Sequence, residues 1–295
     1  MNRESTTVAC TDVHLTIVVD NKSCGGLAEE HGFALWIAVP GHRLLFDTGQ
    51  GKALIANAAQ LGCDLSQVDT LVLSHGHYDH SGALSSVLRS APSCRVYCHN
   101  GAFVPRYSVR PGEVPRTISS APSDREAILA LSPTQVHWVS EPHQIIPGIG
   151  LSGPIPRVHP MEDTGGPFFL DPDGHRPDPL EDDLALWIKT DRGLVIITGC
   201  CHAGLINSVD HLRSVSGVER VFGIIGGLHL VNASDDRLLA TSSALRDWKP
   251  EFIIPCHCTG DEATAFLREQ LGSLVIPGYA GFKLTLCEGN VLRFQ

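Results

Sequence analysis

The chain lacks any long hydrophobic run: nothing in its 295 residues approaches the ~18 uninterrupted apolar positions of a membrane-spanning helix. It is poor in positive charge, with 22 Lys and Arg against 32 Asp and Glu and a formal charge of −10. That balance speaks against a nucleic-acid surface, which is built from clustered Lys and Arg. The N-terminus, MNRESTTVACTDVH, has no basic segment leading into an apolar one, so no export signal is expected and a cytoplasmic location is. The ten cysteines lack the paired C-x-x-C spacing of a structural zinc site. Cys94 and Cys98 form a CxxxC, Cys200 and Cys201 are adjacent, and Cys256 and Cys258 flank a histidine. In a long chain without an export signal these read as reduced, buried thiols rather than disulfides.

What is present points to a folded α/β protein, with 43% hydrophobic and 18% charged residues. HLTIVVD (14–20) reads as a strand, and FALWIAV (33–39) with RLLFD (43–47) as a hairpin around Pro40-Gly41. KALIANAAQL (52–61) suits a helix closed by Gly62. TLVLS (70–74) suits a strand buried on both faces, 82–90 a helix and RVYCH (95–99) a strand. The pattern resumes with LALWIKT (184–190) and GLVIITG (193–199) as a second hairpin, then a helix at 204–215 and the strand VFGIIGG (221–227). A helix over 236–247, FIIPC (252–256), a helix over 261–271 and the closing strands KLTLC and VLRF follow. Each half opens on a hairpin and continues into alternating strand and helix. That predicts two αβ halves whose sheets pack together with helices outside.

Between the halves, residues 101–183 hold fourteen of the nineteen prolines and only two weak strands, QVHWVS and HQIIP. So long an irregular segment is often functional, and it reads as an insertion over the site, against a plain surface flap.

LVLSHGHYDHSGAL (71–84) packs His75, His77, Asp79 and His80 into six positions. They lie on the loop leaving a strand's carboxyl end, where open α/β sheets bind ligands. His75 and His77 are two apart and point the same way in extended backbone, while Asp79 and His80 can turn toward a second point. Imidazole with carboxylate suits zinc, and also manganese or iron. Chance clustering in a chain with 15 His is the competing account, and the strand–loop–helix context weighs against it. His202 in GLVIITGCCHAG and His257 in FIIPCHCTG also leave the ends of predicted strands and can reach the same edge. Either one alone is as readily a satisfied core histidine.

LSHGHYDHSGAL resembles the H-x-H-x-D-H signature of the metallo-β-lactamase fold superfamily, and FDTG (46–49) resembles that superfamily's first motif. The resemblance covers nearly the whole chain. It implies a four-layer αββα sandwich of mixed α/β (α+β) class as one domain over 1–295, with two divalent metals at one edge of the sheets. Zinc leads, with manganese, magnesium or iron as alternatives. One metal would take His75, His77 and His202; the other Asp79, His80 and His257. Asp47 would support the metal loop. The resemblance breaks at Thr198-Gly199-Cys200, where many members have T-G-D and the aspartate bridges the metals. Cys200 is then either a thiolate ligand or inert. His229 in GGLHL enters as ligand or proton carrier, with Asp79 as a second catalytic candidate.

Four segments in order, VVDNKSCGGLAEEHGFALWI, TGCCHAGLINSV, IIGGLHL and PCHCTGDEA, resemble a narrower branch, the 7,8-dihydropterin-6-methyl-4-(β-D-ribofuranosyl)aminobenzene-5′-phosphate synthases. That resemblance implies joining a pterin methyl diphosphate to a ribosylated aminobenzene phosphate, with diphosphate released. A dinuclear centre serves such a transfer by stabilising the leaving group, or a hydrolysis of ester, lactone or phosphodiester by supplying hydroxide. A di-iron redox protein is disfavoured by imidazole at His77, where such proteins resemble a glutamate-containing variant. A metal-binding protein without turnover is the third reading. The expected partner is a small anionic molecule, with no nucleic acid and no membrane. Arg106, Arg110, Arg116, Arg125, Arg157 and Arg176 in 101–183 are candidates for phosphate, although twelve acidic residues share the segment. Phe103, Tyr107, Phe168 and Phe169 are candidates for stacking on a ring, against simple packing.

Overall fold

The computed structural model describes residues 13–286 and 293–294. The first twelve residues of the segment read above for an export signal, with Cys10 among them, Cys287 and the first half of VLRF lie outside the described residues.

In chain order come β1 (His14–Val19), β2 (Ala34–Val39), β3 (His42–Phe46), α1 (Leu54–Leu61), β4 (Thr70–Val72), α2 (Tyr78–Ser81), α3 (Leu84–Ser90) and β5 (Arg95–Cys98). The middle holds β6 (Tyr107–Ser108), β7 (Arg116–Thr117), α4 (Pro122–Leu129), β8 (Val136–Trp138), β9 (His143–Ile146), β10 (Ile149–Leu151) and β11 (Phe168–Phe169). Then come β12 (Ala185–Thr190), β13 (Gly193–Thr198), α5 (Leu205–Ser216), β14 (Val221–Gly227), α6 (Asp235–Trp248), β15 (Phe252–Cys256), α7 (Asp261–Leu271), β16 (Lys283–Thr285) and β17 (Arg293–Phe294).

Two large sheets form, ordered β17-β16-β1-β2-β3-β4-β5-β8 and β15-β14-β13-β12-β10-β9. The period of two along each strand explains how they stack. On β13, Val195 and Ile197 face the first sheet in one buried cluster, with Leu15, Ile17, Leu35, Phe46 and Val72. Leu194 and Ile196, on the other face, pack with Leu205, Val209, Leu212, Leu245 and Leu267 from α5, α6 and α7. Leu45 and Leu71 likewise turn away from the inter-sheet core to meet Leu54, Leu84 and Val87 of α1 and α3. These three apolar layers make an αββα sandwich. Removing one such side chain to alanine costs about 2–5 kcal/mol.

Helix ends follow local chemistry. Gly62, at φ 74°, caps α1 with its N–H on Ala58 and Ala59 carbonyls. Ser234 accepts the Arg237 N–H ahead of α6, whose first turn carries Asp235 and Asp236 against the helix dipole.

The structure departs from the sequence reading in three places. The helix expected at 82–90 forms as α3, but a further helical turn, α2, precedes it, so Asp79 and His80 sit in a helical turn and not on an open loop. The closing strands do not stay with the second half: β16 pairs antiparallel with β1 on the first sheet. Residues 101–183 are more regular than their prolines suggest. They supply β8 to the first sheet, β9 and β10 to the second, and β6, β7 and β11 as a small third sheet.

Candidate metal centre

Asp47 organises the first sheet's contribution. It follows β3 with φ at +61°, and is fully buried. Its Oδ1 accepts the Ser74 N–H at 2.7 Å; its Oδ2 accepts Ser74 Oγ–H and His80 Nδ1–H, each at 2.7 Å. Ser74 Oγ in turn takes His75 Nδ1 at 2.9 Å. One carboxylate thus fixes two rings whose other nitrogens stay available, the arrangement by which outer hydrogen bonds orient metal-ligating histidines. His75 Nε2 and His77 Nδ1 face the same place, 3.0 Å apart. Asp182 holds the loop from below, accepting the Gly76 N–H at 2.8 Å.

The second sheet brings its groups from three strand ends. His202 follows β13 and ties Nδ1 to the Thr164 carbonyl at 2.8 Å. His257 follows β15; its N–H reaches Asp20 at 2.7 Å, and its Nδ1 the Asn21 Oδ1 at 2.8 Å. Its Nε2 lies 3.4 Å from Asp79 Oδ2. His229 follows β14, and its ring centroid is 4.3 Å from that of His202. Cys200 Sγ is 3.1 Å from His80 Nε2. The sheets meet closely enough at this edge that residue 199 must be glycine: a Cβ there would stand 2.1 Å from Ser74 Oγ.

Electrostatics keep three of the rings neutral, in ligand form. Burial, reinforced by the neighbouring imidazoles, holds His75 and His202 well below the usual histidine range, and burial does the same at His77. At His80 burial works the same way, but the Asp47 and Asp79 carboxylates together outweigh it, raising the ring to about 9. Burial opposes the charge on Asp79, yet His80, His257 and His31 hold its carboxyl well below the carboxylate range.

A family profile for the metallo-beta-lactamase superfamily matches residues 28–257. The chain belongs to that superfamily. Among relatives, "Uncharacterized protein MJ0448" of Methanocaldococcus jannaschii is 32% identical over 90% of this chain and 98% of its own length. The same organism's 7,8-dihydropterin-6-methyl-4-(beta-D-ribofuranosyl)-aminobenzene-5'-phosphate synthase is 28% identical over 82% of this chain and 85% of its own. The crystal structure of Tm1679, described as a metal-dependent hydrolase of the beta-lactamase superfamily, aligns with a TM-score of 0.79 at 29% identity, covering 92% of this chain and 98% of that one.

The metallo-β-lactamase fold implies divalent metal, and the residues present fit it. His202 Nε2 is buried without a hydrogen-bond partner, as are His77 Nε2 and His229 Nδ1. Leaving such atoms unpaired is costly unless something else occupies them. His75, Cys200 and His202 offer ligand atoms within 4.8 Å of one another; so do His80, Cys200 and His257. Cys200 is common to both sets, where the T-G-D members have their aspartate. Strain gathers here too: of six described non-glycine residues with positive φ, Asp47, Cys201, His229 and His257 are at this edge.

A cavity of about 1130 Å³ opens above the centre, lined by His31, Arg110, Arg116, Phe168 and His229 among others. The candidate arginines part company. Arg106 is buried and hydrogen-bonded to Asp178 and Asp182, so it braces the metal loop. Arg157 donates to the His202 and Leu180 carbonyls. Arg110 and Arg116 alone of the six line the cavity. Of the candidate aromatics, Phe168 stands 5.3 Å from the His77 ring, while Phe103 packs edge-on to Trp138. Sequence reasoning missed His31, whose Nε2 is 3.1 Å from Asp79 Oδ2, and the cavity-lining Cys258. The string PCHC carried the only signal for Cys258; His31 had none beyond its residue type.

Among the described residues no helix is long and apolar enough to cross a membrane.

Proposed function

We propose that this chain is a metal-dependent enzyme with a dinuclear centre, acting on a small phosphorylated or diphosphate-bearing substrate. The carrying observation is the meeting of two ligand sets on Cys200 at the floor of a cavity that Arg110, Arg116 and Phe168 also line. His75, His77 and His202 would hold one ion and Asp79, His80 and His257 the other, with Cys200 a ligand available to either; zinc suits this donor set. The ions supply Lewis acidity that stabilises charge on a departing phosphoryl or diphosphate oxygen. Arg110 and Arg116 clasp the phosphates, and Phe168 stacks on a planar ring. The 101–183 segment covers the site within one domain. His31, hydrogen-bonded to Asp79 at the cavity wall, moves protons between substrate and solvent.

The similarity to the synthase relative favours transfer of a pterinylmethyl group from its diphosphate to a ribosylated aminobenzene phosphate, with diphosphate released. The similarity to Tm1679 favours hydrolysis of an ester, lactone or phosphodiester. Diphosphate release from a pterin methyl diphosphate, measured against a panel of those hydrolysable substrates, separates the two. No turnover anywhere on the panel by metal-replete protein overturns both and leaves a binding protein. His77→Ala is expected to lose at least one ion per chain and roughly 10³-fold in activity, the scale of several kcal/mol of charge stabilisation. Unchanged metal content in that variant refutes the ligand assignment.

A further inference from the structure

We propose that Cys200, His229 and Cys258 form a third, sulfur-rich position for a zinc-class cation, open on one side to the cavity. The three ligand atoms lie within 4.8 Å of one another, and all three residues are more than nine-tenths buried. They come one each from the carboxyl ends of β13, β14 and β15, three neighbouring parallel strands. Strands in a sheet run ~4.8 Å apart, so groups at matching ends converge without any long loop. The histidine sets draw on the β13 and β15 ends; the β14 end supplies only His229.

Independent features point to a ligand here. His229 Nδ1 is buried with no hydrogen-bond partner, which ordinary packing of an imidazole does not leave. Its backbone is held at φ +45°, a conformation that costs energy outside glycine. Hydrogen bonds lock the three ends together. Gly227 N–H reaches the Gly199 carbonyl at 3.2 Å, Leu228 N–H the Thr259 Oγ1 at 3.1 Å, and Val231 N–H the Cys258 carbonyl at 3.3 Å. Position 227 is glycine for a local reason: a Cβ would stand 2.6 Å from Cys258 Sγ. Cys200, His229 and Cys258 all line the cavity. Two thiolates and an imidazole with a fourth side free is the donor set of a catalytic zinc rather than a closed structural one. His229 is then a ligand, not a proton carrier, and Cys200 joins this position to the histidine-held pair.

The full chain, stripped of metal and reloaded with cobalt(II), tests this, because the thiolate-to-cobalt charge-transfer band reports sulfur ligation directly. Cys258→Ser and His229→Gln are each expected to bind about one ion fewer than wild type. Cys258→Ser is also expected to lose part of the thiolate band. His77→Ala should lower total metal while keeping the Cys258-dependent part of the band. Far-ultraviolet dichroism identifies a misfolded variant; if one of the pair misfolds, the other decides. Wild-type stoichiometry and an undiminished band in the folded variant overturn the third position, even if Cys200→Ser abolishes the band. Unchanged stoichiometry in His77→Ala alone overturns the histidine-held pair instead.

Discussion

On the first sheet, His75, His77, Asp79 and His80 come from one six-residue stretch, held by two buried carboxylates: Asp47 at Ser74 and His80, and Asp182 at the Gly76 amide. On the second sheet, Cys200, His202, His229, His257 and Cys258 come from three strand ends, tied by several separate hydrogen bonds. The first arrangement concentrates its dependence on two buried carboxylates, Asp47 above all. The second spreads it over the register of parallel strands, which the apolar layers beneath already fix. A site assembled across two sheets can thus be fragile on one side and tolerant on the other.

Asp47→Ala is the sharpest way to break this contrast. It strands the Ser74 N–H and the His80 ring in a fully buried place, so metal-free protein should lose about 3–5 kcal/mol in urea denaturation. Metal affinity should fall about 10–100-fold, since the outer partner of a ligand is gone. A loss under about 1 kcal/mol would show that Asp47 is no hub. Thr259→Val probes the distributed side by removing the acceptor for Leu228 N–H. About 1–3 kcal/mol is expected there, with the metal held by His75 and His77 unaffected in titration. An effect as large as that of Asp47→Ala would erase the distinction. Lys22→Ala, at the cavity rim, removes a mostly exposed ion pair with Asp261 and should shift stability by about 0.5 kcal/mol or less.

The same contrast governs what the sequence disclosed. The first-sheet ligands were legible because their spacing is local, and the strand at 221–227 and helix at 261–271 lie where hydrophobic periodicity placed them. His202 and His257 were legible only as residues leaving strand ends; their meeting with His75 and His80 depends on two sheets stacking. Asp182 gave no signal, because its work is to join Arg106 to the Gly76 backbone across a large sequence gap. Cys258 looked like any buried thiol until β14 set His229 beside it. β10 fell in the irregular part of 101–183, where Gly148 and Gly150 surround its first residue. Only the inter-sheet packing of Ile149 and Leu151 makes it a strand. Two-residue strands such as β6 and β11 carry too few side chains for any period to show.

The pairing of β16 with β1 bears on how the molecule is made. His14 and Thr285 touch across 271 positions of chain. As the polypeptide emerges from the ribosome, β1 comes out long before β16, and its outer edge waits for that strand to arrive. All of the proposed metal ligands have left the ribosome by then. The first sheet is therefore sealed after its ligand loop has been delivered, by a contact that is slow to find. In that interval the nascent chain carries an apolar strand with unpaired amides, the feature through which neighbouring chains join edge to edge. Expression yield is expected to depend on how fast residues 283–285 dock, well away from the chemistry.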